Sequence, residues 1–252
     1  MASDEIAAWF IRPALWRADI SSNDPTMKTL TNGQIARIFE EAAESYDASS
    51  NPYTMQRRAE ALARQAVGTT LEVGGGTAAV LHAMPDRSCA FHSDIALPMC
   101  RVAQSKVNRP SACFDAEQIP LADGCVDTVV SAEMIYYLRR PQRMAEEAFR
   151  VLRPGGVLIL STTNPVMTLV ERVRSLLRKL GFPGMFFDDG SPRFPSVTTV
   201  HALLSTAGFQ VESTQGIVPL PFRFCHQLNC LLERTAISRL GLFLIIAARK
   251  PL

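Results

Sequence analysis

The residues best placed to do chemistry lie in Thr70-Leu71-Glu72-Val73-Gly74-Gly75-Gly76-Thr77-Ala78, a short apolar run entering three consecutive glycines. Without a Cβ, glycine lets the backbone turn tightly between a strand and a helix and approach a ligand closely. The letters GGGTAA also satisfy the dinucleotide pattern G-x-G-x-x-A, so a nicotinamide or flavin enzyme stays open at this point. Two further acids narrow the choice. Asp94 ends a second strand-like run, 20 residues beyond Gly74, where a carboxylate can accept hydrogen bonds from ribose hydroxyls. Asp115 ends a third run, inside FDAEQIPLADG, where it can face an adenine amino group. Glu72 stands before the loop. A dinucleotide wants a helix N-terminus free to meet pyrophosphate. A cationic sulfonium carries no phosphate, and acids around the loop suit it better. Each acid alone reads equally as a solvated strand end or a helix cap. Together, at successive strand ends, they read as a ligand site.

The elements that must hold these residues follow from periodicity. Ile35, Ile38, Phe39 and Ala42 recur at helical spacing, and a second helical stretch runs from about Met55 to Ala66, with Asn51-Pro52 between them. Strand-like runs follow at Thr70–Val73, Cys89–Ser93, Ala112–Asp115, Val126–Ser131 and Gly156–Ser161. Met99–Lys106 and Arg143–Leu152 read as helices among them. This alternation predicts a parallel sheet with helices on both faces. A helix at about Val197–Ala207 then precedes two strand-like runs, Phe209–Ser213 and Leu242–Arg249, which predict a hairpin-like pair at the sheet edge.

With those residues in view, a family resemblance emerges. LEVGGGTA resembles the E-x-G-x-G-x-G motif of the class I S-adenosylmethionine-dependent methyltransferases, with Ala78 in place of the last glycine. HSDIALPMCRVAQ resembles that family's second motif, and FDAEQIPLADGCVDTVVSAEMIYYL its D-A-E-x-L-P-F stretch. EEAFRVLRPGGVLILSTTNP is similar to the R-V-L-R-P-G-G segment, and GLFLIIAARKPL looks like the last antiparallel strand. The resemblance covers the chain from about Tyr46 onward. It implies a Rossmann-like, doubly wound α/β fold: a seven-stranded, largely parallel sheet with an antiparallel last strand, N-terminal helices and a helical cap insert.

The resemblance also implies the cofactor, S-adenosyl-L-methionine, with S-adenosyl-L-homocysteine as product. It places Gly74, Gly75 and Gly76 at the methionine part and Asp94 at the ribose, with Ile95 and Met99 in the same motif. Asp115, Ala116 and Glu117 fall at the adenine, and Ser131, Ala132 and Glu133 beside the reacting centre. Glu72 belongs to the first motif, and Tyr46 matches a position that closes over the cofactor. Methyl transfer from a sulfonium is an in-line displacement, in which positioning and a deprotonated nucleophile do most of the work. The histidine that often follows the fourth strand is absent, and Ile135-Tyr136-Tyr137-Leu138 stands there. Tyr137 and Tyr136 are candidates to orient substrate or to steady the sulfonium by cation–π attraction, and they read equally as packing residues. His226, in PFRFCHQLNC, is the candidate base, against the alternative of an ordinary hydrogen-bonded histidine.

The segment 164–195 reads as a cap insert. Val166, Leu169, Val170, Val173, Leu176, Leu177 and Leu180 share one helical face, opposite Arg172, Arg174, Arg178 and Lys179. Its tip, Gly181 to Phe187, is apolar. Such a helix can roof a greasy pocket or touch an anionic membrane surface through residues 166–187. Trp9, Phe10 and Trp16 can add a wall. A hydrophobic small-molecule acceptor is therefore expected, methylated at O, N or C. The alternatives are an NAD(P)-dependent oxidoreductase, or a catalytically silent module that binds the cofactor.

The bulk numbers agree with one domain over residues 1–252: a helical cover (1–66), a cofactor core (67–163), the insert, and the rest of the core (196–252). The chain has 47% hydrophobic and 20% charged residues and a net charge of +2, too small to suggest nucleic-acid binding. Six cysteines without a C-x-x-C pair and four scattered histidines offer no zinc spacing, and no metal is expected. Asp4, Glu5 and Pro13 do not suit a signal peptide, and the run Leu242 to Ala248 is too short to span a bilayer, so a cytoplasmic protein is expected.

Overall fold

A computed structural model describes residues 31–49, 51–85, 89–167, 194–218, 220 and 222–252. The segment of Trp9, Phe10 and Trp16, and the cap insert from residue 168 to residue 193, lie outside the described residues.

The strands are Thr70–Val73 (β1), Ala90–Asp94 (β2), Ser111–Cys113 (β3), Val126–Ala132 (β4), Leu152–Thr163 (β5), Gln210–Ile217 (β6) and Phe243–Arg249 (β7). They form one sheet in the order β3-β2-β1-β4-β5-β7-β6. The first five run parallel, and β7 lies antiparallel to both β5 and β6. Strand order reverses between β1 and β4. In open α/β sheets that switch point leaves a crevice beyond the carboxyl ends of the strands, where ligands bind. The glycine loop leaves β1 at this place.

Helices cover both faces: Asn32–Ala42 (α1), Pro52–Ala63 (α2), Ala79–Ala83 (α3), Leu97–Val107 (α4), Pro141–Val151 (α5), Val197–Thr206 (α6) and His226–Leu232 (α7). All four side chains of β1 are buried, as a central parallel strand requires. Successive residues of β4 and β5 serve opposite layers. Val129 and Leu158 pack with Met144, Ala148 and Leu204 of α5 and α6. Val130 and Ile159 pack with Leu62, Val80, Leu81 and Ala103 of α2, α3 and α4. Caps set the helix starts near the site. Thr31 and Gln34 form a capping box on α1, and the Asn51 side chain accepts from the Thr54 amide at 3.1 Å to open α2.

Two expectations change. The last two strands are neighbours, but β7 is inserted inside the sheet and only β6 lies at the edge. The connection 218–242 holds α7 and two 3-10 turns, too much chain for a hairpin. Strand β5 also begins at Leu152 rather than Gly156, because Leu152 already pairs with Val126 ahead of an irregularity in the register. Among the described residues, no helix is long and apolar enough to cross a membrane.

Candidate ligand cleft at the glycine loop

Gly74 leaves β1 with φ +61, and a Cβ there would lie 2.0 Å from Met134 Sδ, so only glycine fits. The amide of Gly75 donates to the Ser93 carbonyl at 3.0 Å, tying the loop to β2. Ala78, where the resemblance expects glycine, takes φ 59 at the start of α3; its side chain is fully buried and offers no cap. The cap comes from Glu72 instead. Its buried carboxyl accepts from the amides of Val80 at 3.3 Å and Leu81 at 3.2 Å. Burial pushes the Glu72 pKa up to about 8, partly opposed by those two amides. Glu72 therefore shapes the loop from beneath and does not line the cleft.

Asp94 ends β2 with 7% of its surface exposed. Its carboxyl accepts from the amides of Gly76 and Ala96, each at 2.9 Å, and burial raises its pKa. Asp115 follows β3, accepting from the Glu117 amide at 2.8 Å and from the side-chain amide of Asn32. Glu133 follows β4 with φ 56. Its carboxyl accepts from the hydroxyls of Ser161 (2.8 Å), Thr163 (2.5 Å) and Tyr136 (3.0 Å). Burial, and Glu133 beside it, hold the Tyr136 phenol well above its usual pKa, so it stays a donor.

These strand ends enclose one cleft. Of the residues predicted from sequence, Tyr46, Gly74, Gly76, Asp94, Ile95, Asp115, Ala116, Ala132, Glu133 and Tyr137 line it. Glu72, Gly75, Met99, Glu117, Ser131 and Tyr136 do not. Met99 is fully buried under Phe39 and Tyr46. Glu117 is committed to Arg140, accepting from its backbone amide at 2.7 Å and its Nε at 2.8 Å. His226 lies in a separate depression on α7, against Tyr53 and Cys230. Sequence reasoning missed Asn32, Ile35 and Phe39, whose helical spacing reads as plain packing, and also Phe114, Met134 and Leu138.

Phe39 sits edge-on to Tyr46 at 6.3 Å and to Tyr137 at 5.3 Å, and these rings leave the cleft a free volume of about 70 Å³. Among the described residues, every ionisable lining side chain other than the tyrosines is a carboxyl (Asp94, Asp115 and Glu133), with no lysine, arginine or histidine. Such walls repel a pyrophosphate and suit hydroxyls, an amine or a cation. That disfavours the dinucleotide reading of the loop. Among the described residues, no cluster of three histidine, cysteine or acidic side chains could hold a metal ion.

A family described as "Methyltransferase domain" matches residues 71–160, from β1 through β5. The malonyl-[acyl-carrier protein] O-methyltransferase of Geobacter sulfurreducens is 30% identical over 190 residues, covering 70% of each chain. Its namesake in Marinomonas sp. is 31% identical over 140 residues, 52% of each chain. The matches span about half or less of the length of most of these curated relatives. Among solved structures, the magnesium protoporphyrin IX methyltransferase of Synechocystis, with S-adenosylhomocysteine bound, superposes with a TM-score of 0.58 at 15% identity. That superposition covers 89% of this chain and 99% of its counterpart, and it shows a shared fold.

Proposed function

The chain belongs to the class I S-adenosylmethionine-dependent methyltransferases, and from that premise we propose that it methylates a hydrophobic small-molecule acceptor. The observation that carries this reading is the cleft at the strand switch point, whose charged walls among the described residues are entirely carboxyl. The cofactor supplies an electrophilic methyl group on a sulfonium. Asp94 accepts the ribose hydroxyls, and Asp115 accepts the adenine amine. Gly74 and Gly76 bring backbone, without side chains, against the methionine part. Tyr46, Phe39 and Tyr137 offer ring faces and exclude water, with Tyr137 hydrogen-bonding the acceptor. Glu133, held by three hydroxyls, presents a fixed carboxyl near the reacting centre.

The O-methyltransferase relatives are named for an acidic acceptor, malonyl-[acyl-carrier protein]. No cationic side chain among the described lining residues would neutralise a malonyl carboxylate, and this favours an uncharged acceptor here. Calorimetric titration with S-adenosylmethionine, beside an Asp94→Ala variant and an NADH control, tests the reading. Binding lost in the variant supports it. Binding of NADH without S-adenosylmethionine overturns it. Turnover to S-adenosylhomocysteine with any acceptor eliminates the catalytically silent alternative.

A further inference from the structure

Beside the C-terminal end of α3, α2 and the segment carrying α7 enclose a second depression of about 670 Å³. Arg57, Arg64 and Arg223 line it, with Glu60 as the one carboxyl among the described lining residues. Arg57 is more than nine-tenths buried; its guanidinium pairs with Glu233 at 2.7 Å and with Glu60 at 3.7 Å, while its Nε has no hydrogen-bond partner among the described residues. Arg64 also pairs with Glu60, at 3.7 Å, so three guanidiniums stand against two carboxyls and the described walls keep a net positive charge that favours an anion. His226 and Cys230, one helical turn apart on α7, share the same space, with His226 Nε2 3.8 Å from Cys230 Sγ.

A directed chain of hydrogen bonds sets the imidazole. Asn229 is fully buried, and the backbone of Leu220 fixes its side-chain amide. Asn229 Oδ1 accepts from the Leu220 amide at 2.9 Å, and Nδ2 donates to the Leu220 carbonyl at 2.7 Å. The remaining Nδ2 proton goes to the Tyr53 phenol oxygen at 2.9 Å. Tyr53 thus accepts there and turns its own proton to His226 Nδ1, at 3.4 Å. Burial raises the Tyr53 pKa, so the phenol keeps that proton. With Nδ1 accepting, the ring proton belongs on Nε2, the atom facing the sulfur. Cys230 thus meets an N–H donor within an arginine-lined space, the setting in which a cysteine becomes nucleophilic.

We propose that Cys230 is a reactive thiol that forms a mixed disulfide with an anionic low-molecular-weight disulfide drawn into this depression. The Cys230 proton leaves to solvent, and the sulfur attacks one sulfur of the ligand. A new S–S bond forms as the ligand's own S–S bond breaks. The departing half carries the electron pair and takes up a proton, so the ligand is the oxidant and a free thiol the by-product. His226 is a positioning residue that holds the attacking sulfur's charge. Arg57, Arg64 and Arg223 select the anion. The adduct lies against Ala83 and Pro85, at the far end of α3 from the glycine loop.

The test treats the whole protein with glutathione disulfide, which is anionic, or with cystamine, which is dicationic, and maps the modified cysteines by peptide mass. Cys230 should react about tenfold or more faster than the exposed Cys89, and faster with glutathione disulfide than with cystamine. His226→Gln and Tyr53→Phe should each slow Cys230 severalfold while leaving the Cys89 rate unchanged. Arg64→Gln with Arg223→Gln should erase the preference between the two disulfides. Equal rates at Cys230 and Cys89, or a Cys230 rate indifferent to His226→Gln, would overturn the proposal.

Discussion

The side-chain amide of Asn32, in the first turn of α1, donates a hydrogen bond to the carboxyl of Asp115 beyond the end of β3. One bond thus ties the helical cover to the floor of the cleft, at the carboxyl proposed to take the adenine amine. The two residues therefore respond oppositely to substitution. Asp115→Ala should weaken S-adenosylmethionine binding about tenfold, the worth of one hydrogen bond to a charged group. Asn32→Ala should leave it unchanged or strengthen it severalfold, because a competing donor is gone. Calorimetry measures both, and equal losses would make the pair purely structural.

Gly74→Ala should destabilise the protein by about 2 kcal/mol or more, through the contact with Met134 and the left-handed backbone together. The double variant Gly74→Ala, Met134→Ala should recover less than the full loss, because the backbone strain of about 1 kcal/mol stays. Denaturant unfolding of the two variants separates the contact from the strain. Full recovery would show that φ +61 costs nothing here.

Stability should also carry the mark of two buried groups flanking Gly75, Glu72 and His92. The folded pKa of Glu72, about 8 against 4.5, means that the native state binds this proton more tightly than the unfolded chain. Its contribution is complete below pH 4.5 and declines as pH rises towards 8, by at most about 1.4 kcal/mol per pH unit. Burial lowers the His92 pKa to about 4 from 6.5, so its contribution is complete above 6.5 and declines as pH falls to 4. Melting temperatures at pH 6 and pH 8 should show a fall in the wild type that Glu72→Gln lacks. Parallel behaviour of the two proteins would contradict the assignment.

Removing the carboxyl of Glu133 strips the acceptor from three hydroxyl groups at once. Glu133→Ala should cost about 2–3 kcal/mol, and Tyr136→Phe, which removes one donor, about 1 kcal/mol. Adding the variants together should give less than the sum of their losses, since they share one network. Thermal or urea unfolding of the set checks this, and strict additivity would count against the network.

Local chemistry made much of this molecule legible in the sequence. Three glycines after a four-residue strand can do little except turn sharply, and the acids after β2 and β3 sit where chain direction alone puts them. Relationships between distant segments were not legible. Nothing near Glu72 in sequence announces that it caps α3 in place of Ala78, or that Glu117 is spent on Arg140. Asn32 and Phe39 reach the cleft only because α1 folds across it, and their spacing is that of any packed helix. The seven-residue α7 escaped notice because several of its apolar residues, Leu228 and Leu231 among them, face solvent and blur the periodicity.

The placement of β7 bears on how the molecule comes together. Its two neighbours, β5 and β6, flank it in the finished sheet, yet residues 164–242 separate the end of β5 from its partner residue Phe243. Until β7 arrives, β5 offers bare amides and carbonyls beside an apolar run, an edge to which any extended chain can add. Loop closure over so long a stretch is slow relative to local helix formation. Renaturation is therefore most vulnerable before this insertion, when another copy's Phe243–Arg249 can fill the same slot and link two chains by exchange.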